Sequence, residues 1–281
     1  MTLGNLNIQL ANNPLSYRST LTIPSKVNFG LELELEGIKY DEVYRLVRNQ
    51  FGESWQVKTD LSLTKDSNAE IVTPVLQNRK QTWLLLKKMG KLLEHLNPTY
   101  NNCSFQVNFD GSLLPTEEDK VRFIKLYAMY EDIIYRFSKG EDTEYRDSLE
   151  TYASPIILTL KVIVNYGDDT IIDMFSNNKR YGLIFKTKDK DLVEFRTPNA
   201  TSNPILWQNY ITTFYYLLKF ATSHKYNKKE IDTYIDQFMR IYILEGYEQL
   251  KTEKALKLSS MIFSNKTDQL YFMHQYIGKS K

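Results

Sequence analysis

Four short stretches of this sequence place acidic and amide side chains at every second position. Glu32, Glu34 and Glu36 alternate with Phe29, Leu31, Leu33 and Leu35. Glu70 lies in a second such stretch, Gln106 and Asn108 in a third, and Glu194 with Arg196 in a fourth. Period two is the signature of a half-buried strand, so each stretch presents one apolar and one polar face. Same-face neighbours stand about 7 Å apart. Carboxylates at that distance repel by roughly 0.6 kcal/mol in water and about 2.4 kcal/mol at an effective dielectric near 20. A cation over the face relieves this, and hard oxygen ligands suit Mg²⁺ or Mn²⁺. Such an ion with open positions would hold phosphate, and Arg196 would be a ready partner for a phosphoryl oxygen. The same alternation also fits the solvated face of an antiparallel sheet.

The elements that must carry these residues follow from the flanking patterns. A strand within residues 26–37 is followed by a helix over 40–51, with Val43, Tyr44 and Val47 at helical spacing. Residues 55–60 and 69–74 read as a hairpin pair that Pro74 ends. Residues 77–96 read as a helix stopped near Pro98. Cys103, Phe105, Val107 and Phe109 form the apolar side of the third strand. Pro115 and Thr116 open a helix with Phe123, Tyr127, Tyr130 and Ile134 on one stripe. Residues 139–147 read as a charged loop, and a helix near 155–165 precedes short turns. Residues 181–187 and 192–197 read as a hairpin. From Pro204 on the pattern is helical, over 204–223, 228–243, 246–260 and 267–277. Strands with one polar face predict an α+β fold, an antiparallel sheet with helices packed on its other side.

Composition narrows the function classes. The 281 residues carry 36 basic and 34 acidic side chains, a formal charge of +2. That balance argues against broad electrostatic capture of nucleic acid. Lys225, Lys228 and Lys229 beside Tyr226 read as a solvated helix start. Cys103 is the single cysteine, so no intrachain disulfide can form, as in a reducing compartment. No apolar run approaches ~20 residues, and the polar N-terminus has no secretory pattern, so a cytoplasmic protein without a membrane span is expected. The three histidines show no zinc-ligand spacing, and P-loop, GxGxxG and GxSxG motifs are absent.

The ordered motifs resemble a known family. Gly30, Glu32 and Glu34 form a GxExE strand similar to that of the amidoligases, the carboxylate–amine ligases related to glutamine synthetase and glutamate–cysteine ligase. Asp60 and Ser62, then Glu70 through Leu76, resemble the family's D-x-S and E-[LI]-[VI]-[ST]-P-[VI]-L segments. Gln106 and Asn108 stand where the family usually carries histidines. Arg146 with Tyr152–Ala153 is similar to its R…Y[CA] segment, residues 179–183 to its tyrosine strand, and Glu194-Phe195-Arg196 to its E-[FI]-R strand. Leu183-Ile184-Phe185 runs where an asparagine is common. The resemblance spans about residues 27–220.

It implies a sheet folded into a funnel, like that of glutamine synthetase and glutamate–cysteine ligase, with ATP and Mg²⁺ (or Mn²⁺) at the mouth. It implies a ligase that forms an amide, peptide or isopeptide, through an acyl phosphate. Glu32, Glu34, Glu70 and Glu194 would be metal ligands, joined by the amide of Gln106. Arg196 would stabilise the transferring phosphoryl group, Arg146 would bind phosphate or the acid, and Asn108 would contact the cofactor. The partners would be a carboxylate and an amine, peptide or peptidoglycan fragments among them, with no membrane. Residues 26–222 would be the catalytic domain, 1–25 a lead-in and 223–281 a helical extension packed on it. Two other readings stay open: a nucleotide- or peptide-binding module with a decayed site, and an ATP-dependent transferase that modifies a protein.

Overall fold

The computed structural model describes residues 15–60, 63, 67–142, 144–188, 190–238, 247 and 249–278. Its centre is an antiparallel sheet of seven strands: β1 (Asn28–Glu36), β2 (Gln56–Lys58), β3 (Asn68–Val72), β4 (Leu76–Gln77), β5 (Phe105–Asp110), β6 (Leu183–Lys186) and β7 (Leu192–Phe195). The order is β2-β3-β1-β5-β7-β6, with β4 paired to the start of β1. The expected hairpins, 55–60 with 69–74 and 181–187 with 192–197, are present as β2–β3 and β6–β7.

Eleven α-helices are described, beside a 3₁₀ turn at Gly111–Leu113. They are α1 (Tyr40–Phe51), α2 (Lys80–Leu96), α3 (Glu117–Met129), α4 (Glu131–Ser138), α5 (Leu149–Tyr152), α6 (Ile157–Ile163), α7 (Asp168–Met174), α8 (Pro204–Ala221), α9 (Lys228–Gln237), α10 (Thr252–Ile262) and α11 (Lys266–Ile277). Local chemistry sets their ends. Thr116 accepts from the Asp119 N–H to start α3, Asn203 caps α8 ahead of Pro204, and Asn265 caps α11. Asn97 ends α2 in the left-handed region at φ 48°, just before Pro98. Gly37, at φ 74°, turns the chain out of β1.

The apolar face of the sheet packs on helices, as expected. Phe29 stacks on Trp83 of α2, Phe105 on Trp207 of α8, and Phe195 on Phe214 with ring centroids 4.1 Å apart. Phe123 of α3 meets Phe195 edge-on. Cys103 is fully buried on this side. Large aromatic rings in offset and edge contacts carry much of the core's apolar area.

Three local expectations are corrected. The helix opened by Thr116 is interrupted at Tyr130, whose backbone (φ −107°, ψ 14°) leaves the helical region between α3 and α4. Residues 168–174 form a helix rather than turns. The helix expected at 246–260 is described from Thr252 to Ile262 instead, while residues 239–243 of the expected 228–243 helix lie outside the described residues.

The first and last described segments pack onto the centre. Leu21 and Ile23 are buried, and Arg18 pairs with Asp268 of α11 at 2.5 Å. Phe137 of α4 stacks on Phe272 of α11, and Asn209 of α8 donates to Gln275. Among the described residues no helix is long and apolar enough to cross a membrane.

Candidate functional site

The opposite face of the sheet gathers the acids. Register places Glu34 beside Glu70, Glu32 beside Gln106, and Asn108 beside Glu194. The face is not a solvated one. Glu34 is 5% exposed, and Glu194 is fully buried; Gln106, Asn108, Arg196 and Arg146 are also buried. Glu36, the third acid of the alternation, is buried where β1 bridges to Thr99. Buried carboxylates must be compensated by donors, by cations or by a retained proton, and this face uses all three.

The first group lies around β1, β2 and β3. Carboxylate oxygens of Glu34, Asp60 and Glu70 lie within 4.8 Å of one another. Glu34 accepts from the Ser104 N–H and Oγ, both at 2.6 Å, and from Gln106 Nε2 at 3.1 Å. Burial still pushes its pKa up against those bonds and the nearby Arg146 charge. Glu70 is pushed up to about 8 by burial and by the charge of Glu32. It therefore keeps a proton at neutral pH and shares it with Glu32. Asp60 follows β2, two residues beyond Lys58, which stands opposite Glu70. Ser62 lies outside the described residues.

The second group lies around β5, β6 and β7. Lys186 reaches Glu32 Oε1 at 3.3 Å and pairs with Glu194 Oε2. Burial raises the pKa of Glu32, but Lys186 and a 2.8 Å bond from Asn108 Nδ2 outweigh it and hold it low. The same two carboxylates keep Lys186 charged against its own burial. Arg196 donates from Nη1 to Glu194 at 2.7 Å and to Gln106 Oε1 at 3.1 Å, and from Nε to the Tyr152 carbonyl at 3.0 Å. Gln106 thus links the groups, its amide N–H on Glu34 and its oxygen on Arg196. Asn108 Oδ1 is buried with no donor.

Arg146, which the resemblance implies would bind phosphate or the acid, is buried against main-chain carbonyls. Its Nη1 donates to the carbonyls of Thr197 and Pro198, and its Nη2 to that of Arg196 at 2.7 Å. Burial pushes its pKa down to about 10, with Glu34 opposing. Arg146 and the Tyr152 carbonyl therefore clamp Arg196 from both sides, through its main chain and its guanidinium. Beside Glu32 a cleft of about 170 Å³ opens, lined by Gly30, Glu32, Val72, Asn108, Asp110 and Lys190 among others.

Glu32, Glu34, Glu70, Gln106, Asn108, Glu194 and Arg196 share this face, and Arg146 comes from a loop outside the sheet. Sequence reasoning passed over Lys186 and Ser104 and gave Asp60 no ligand role. Alternation through Gln56, Lys58 and Asp60 was the available signal for the last.

No protein-family model and no curated protein matches the sequence. The fold is similar to the crystal structure of a bifunctional glutathione synthetase from Pasteurella multocida. The TM-score is 0.51 and the identity 11%, over 99% of this chain and 49% of that one. This chain therefore spans about half the length of the solved structure it matches. At that identity the likeness speaks to the fold alone, an α+β arrangement of an open antiparallel sheet and helices.

Proposed function

We propose that the polar face binds ATP with a divalent cation and joins a carboxylate to an amine. The carrying observation is the convergence of Glu34, Asp60 and Glu70 within 4.8 Å on a buried face that also holds Arg196. Three carboxylates so placed fit Mg²⁺ or Mn²⁺, both hard cations that take oxygen ligands. Bound there, the cation would neutralise phosphate charge. The cleft beside Glu32 is the natural entry for the triphosphate, with Lys190 at its rim. Asn108 Oδ1, a buried acceptor without a donor, supports a ligand on this side.

Arg196 is held by Glu194, Gln106 and Tyr152 without further ordering, as a group that meets developing charge must be. Arg146 is the positioning residue behind it. The acid's carboxylate oxygen bonds to the γ-phosphorus as ADP leaves; the amine nitrogen then bonds to the acyl carbon as phosphate leaves, and the amine's proton is lost. The similarity in fold to a bifunctional glutathione synthetase supports the reading. So does the reach of Lys186 to Glu32 across three strand spacings, roughly 14 Å of sheet. Side chains that meet over that span are in keeping with a funnel like that of glutamine synthetase and glutamate–cysteine ligase. The amidoligase subtype, peptide or peptidoglycan-fragment substrates, catalysis by residues 26–222 and a cytoplasmic setting belong to the same proposal.

The test is release of ADP and phosphate from Mg-ATP over a panel of acids and amines. Release that requires both partners, with one amide formed per ADP, is expected. Nucleotide binding without turnover would favour a binding module, which the engagement of all three Arg146 donor bonds with main-chain carbonyls also fits. Label passing from ATP to protein would favour a transferase.

A further inference from the structure

We infer that Lys186 is a built-in cation. Its ammonium stands between Glu32 and Glu194, where that carboxylate pair would otherwise take a divalent ion. The polar face then takes one divalent ion, at Glu34, Asp60 and Glu70, and no second one. The inference rests on the cation site proposed above.

The two halves of the face present opposite chemistry. Around Glu32 and Glu194 the nitrogen partners all donate, Lys186 to both, Arg196 Nη1 to Glu194 and Asn108 Nδ2 to Glu32, while the Glu70 carboxyl also bonds to Glu32. Two negative charges meet two positive ones, so the pair is balanced without a metal. The neutral oxygens that could complete a metal shell are turned elsewhere. Asn108 presents its amide nitrogen to Glu32, and the Gln106 oxygen accepts from Arg196. A divalent ion entering between Glu32 and Glu194 would meet an ammonium already there, and like charges at that range repel strongly in a buried site. Around Glu34, Asp60 and Glu70 the carboxylate oxygens instead lie within 4.8 Å of one another, and the donors that Glu34 accepts from, Ser104 and Gln106, are neutral. Lys186 also comes from a strand that supplies nothing else to the site: Ile184, two residues earlier, sets an apolar side chain beside Glu194. β6 thus brings a charge where a ligand-bearing strand would bring an oxygen.

An ammonium has the charge for this position but no open coordination sites, so it can orient Glu32, Glu194 and a nearby phosphate oxygen but cannot exchange ligands. It also makes that half of the site independent of metal concentration.

The experiment counts Mn²⁺ bound to the full chain without nucleotide, by the electron paramagnetic resonance of free Mn²⁺. The parent should bind one ion. Lys186→Met and Lys186→Gln should bind two, and Lys186→Arg one. Thermal melts report which variants are folded; if neither neutral variant folds, the parent's stoichiometry decides, one ion upholding the inference and two overturning it. Two ions in the parent, or one in folded neutral variants, would overturn it. No ion in the parent but one in the neutral variants upholds the role of Lys186 and defeats the Glu34–Asp60–Glu70 site. No ion in any variant defeats both.

Discussion

Two places in this chain bury adjacent carboxylates, and they solve the problem differently. At the start of α4, Glu131 and Asp132 are both buried. Glu131 accepts from the Ile156 and Ile157 N–H groups and from the Tyr247 hydroxyl, so it caps α6. Asp132 accepts from Lys251 and Lys254. Each acid has its own donors, and the pair ties α4 to α6 and to the C-terminal helices. On the sheet, Glu70 and Glu32 share a proton, and Glu34, Asp60 and Glu70 converge. Acids that are each met by donors of their own hold a fold together. Carboxylates aimed at one another leave a place for something absent from the chain itself.

The largest expected effect concerns pH. Glu131 and Glu70 are both pushed up to about 8, each first by burial. Between roughly pH 4.5 and 8 the folded chain keeps a proton at each that the unfolded chain has released. Stability therefore falls as pH rises through this window and levels off above it. At about 1.4 kcal/mol per pH unit, Glu131 contributes at most roughly 4–5 kcal/mol. Glu70 contributes less, because it is partly exposed and coupled to Glu32. Urea titrations across pH 5–9 in chelator should show this decline. Saturating Mn²⁺ should remove only the Glu70 part; a divalent ion that abolished the whole slope, or left it untouched, would break the contrast between the two places.

Next in size, Glu131→Ala should cost about 3–5 kcal/mol, since it strands buried donors and leaves a cavity. Mn²⁺ affinity should not change. A loss below about 1 kcal/mol by denaturant midpoint would deny Glu131 its structural part.

Arg196→Lys sharpens the other side. Lysine keeps the charge but loses the planar fork that meets Glu194, Gln106 and Tyr152 together. Turnover should fall on the order of 10²–10³-fold, with nucleotide binding kept. A variant within a few-fold of the parent's rate would remove Arg196 from the chemistry.

The smallest effect is expected for Glu70→Gln in metal-free protein. At neutral pH the amide replaces a protonated carboxyl of the same shape and can still donate to Glu32. Stability should stay within about 1 kcal/mol. The gain from Mn²⁺, about 2.7 kcal/mol for the parent at a hundred times its Kd, should vanish. A variant stabilised by Mn²⁺ as the parent is would exclude Glu70 as a ligand.

Much of the sheet was legible because alternation is local. Phe29, Leu31, Leu33 and Leu35 define the core face of β1, and Glu32 and Glu34 must then face the other way. The same logic turned Gln106 and Asn108 toward the acids. Lys186 was not legible. Its strand reads as an apolar run, Leu183-Ile184-Phe185, and its partner Glu32 lies 154 residues earlier. Only the strand order brings them together. The surroundings of Arg146 were not legible either: its segment reads as a charged loop, whereas its guanidinium is buried against the carbonyls of residues 196–198. The break at Tyr130 was hidden because the apolar stripe continues through it.

Anomalous diffraction from crystals soaked in Mn²⁺ tests the site most directly. A single peak among the carboxylates of Glu34, Asp60 and Glu70 is expected, with none between Glu32 and Glu194. A peak between Glu32 and Glu194 with Lys186 displaced, or no peak anywhere on the polar face at saturating Mn²⁺, would contradict it.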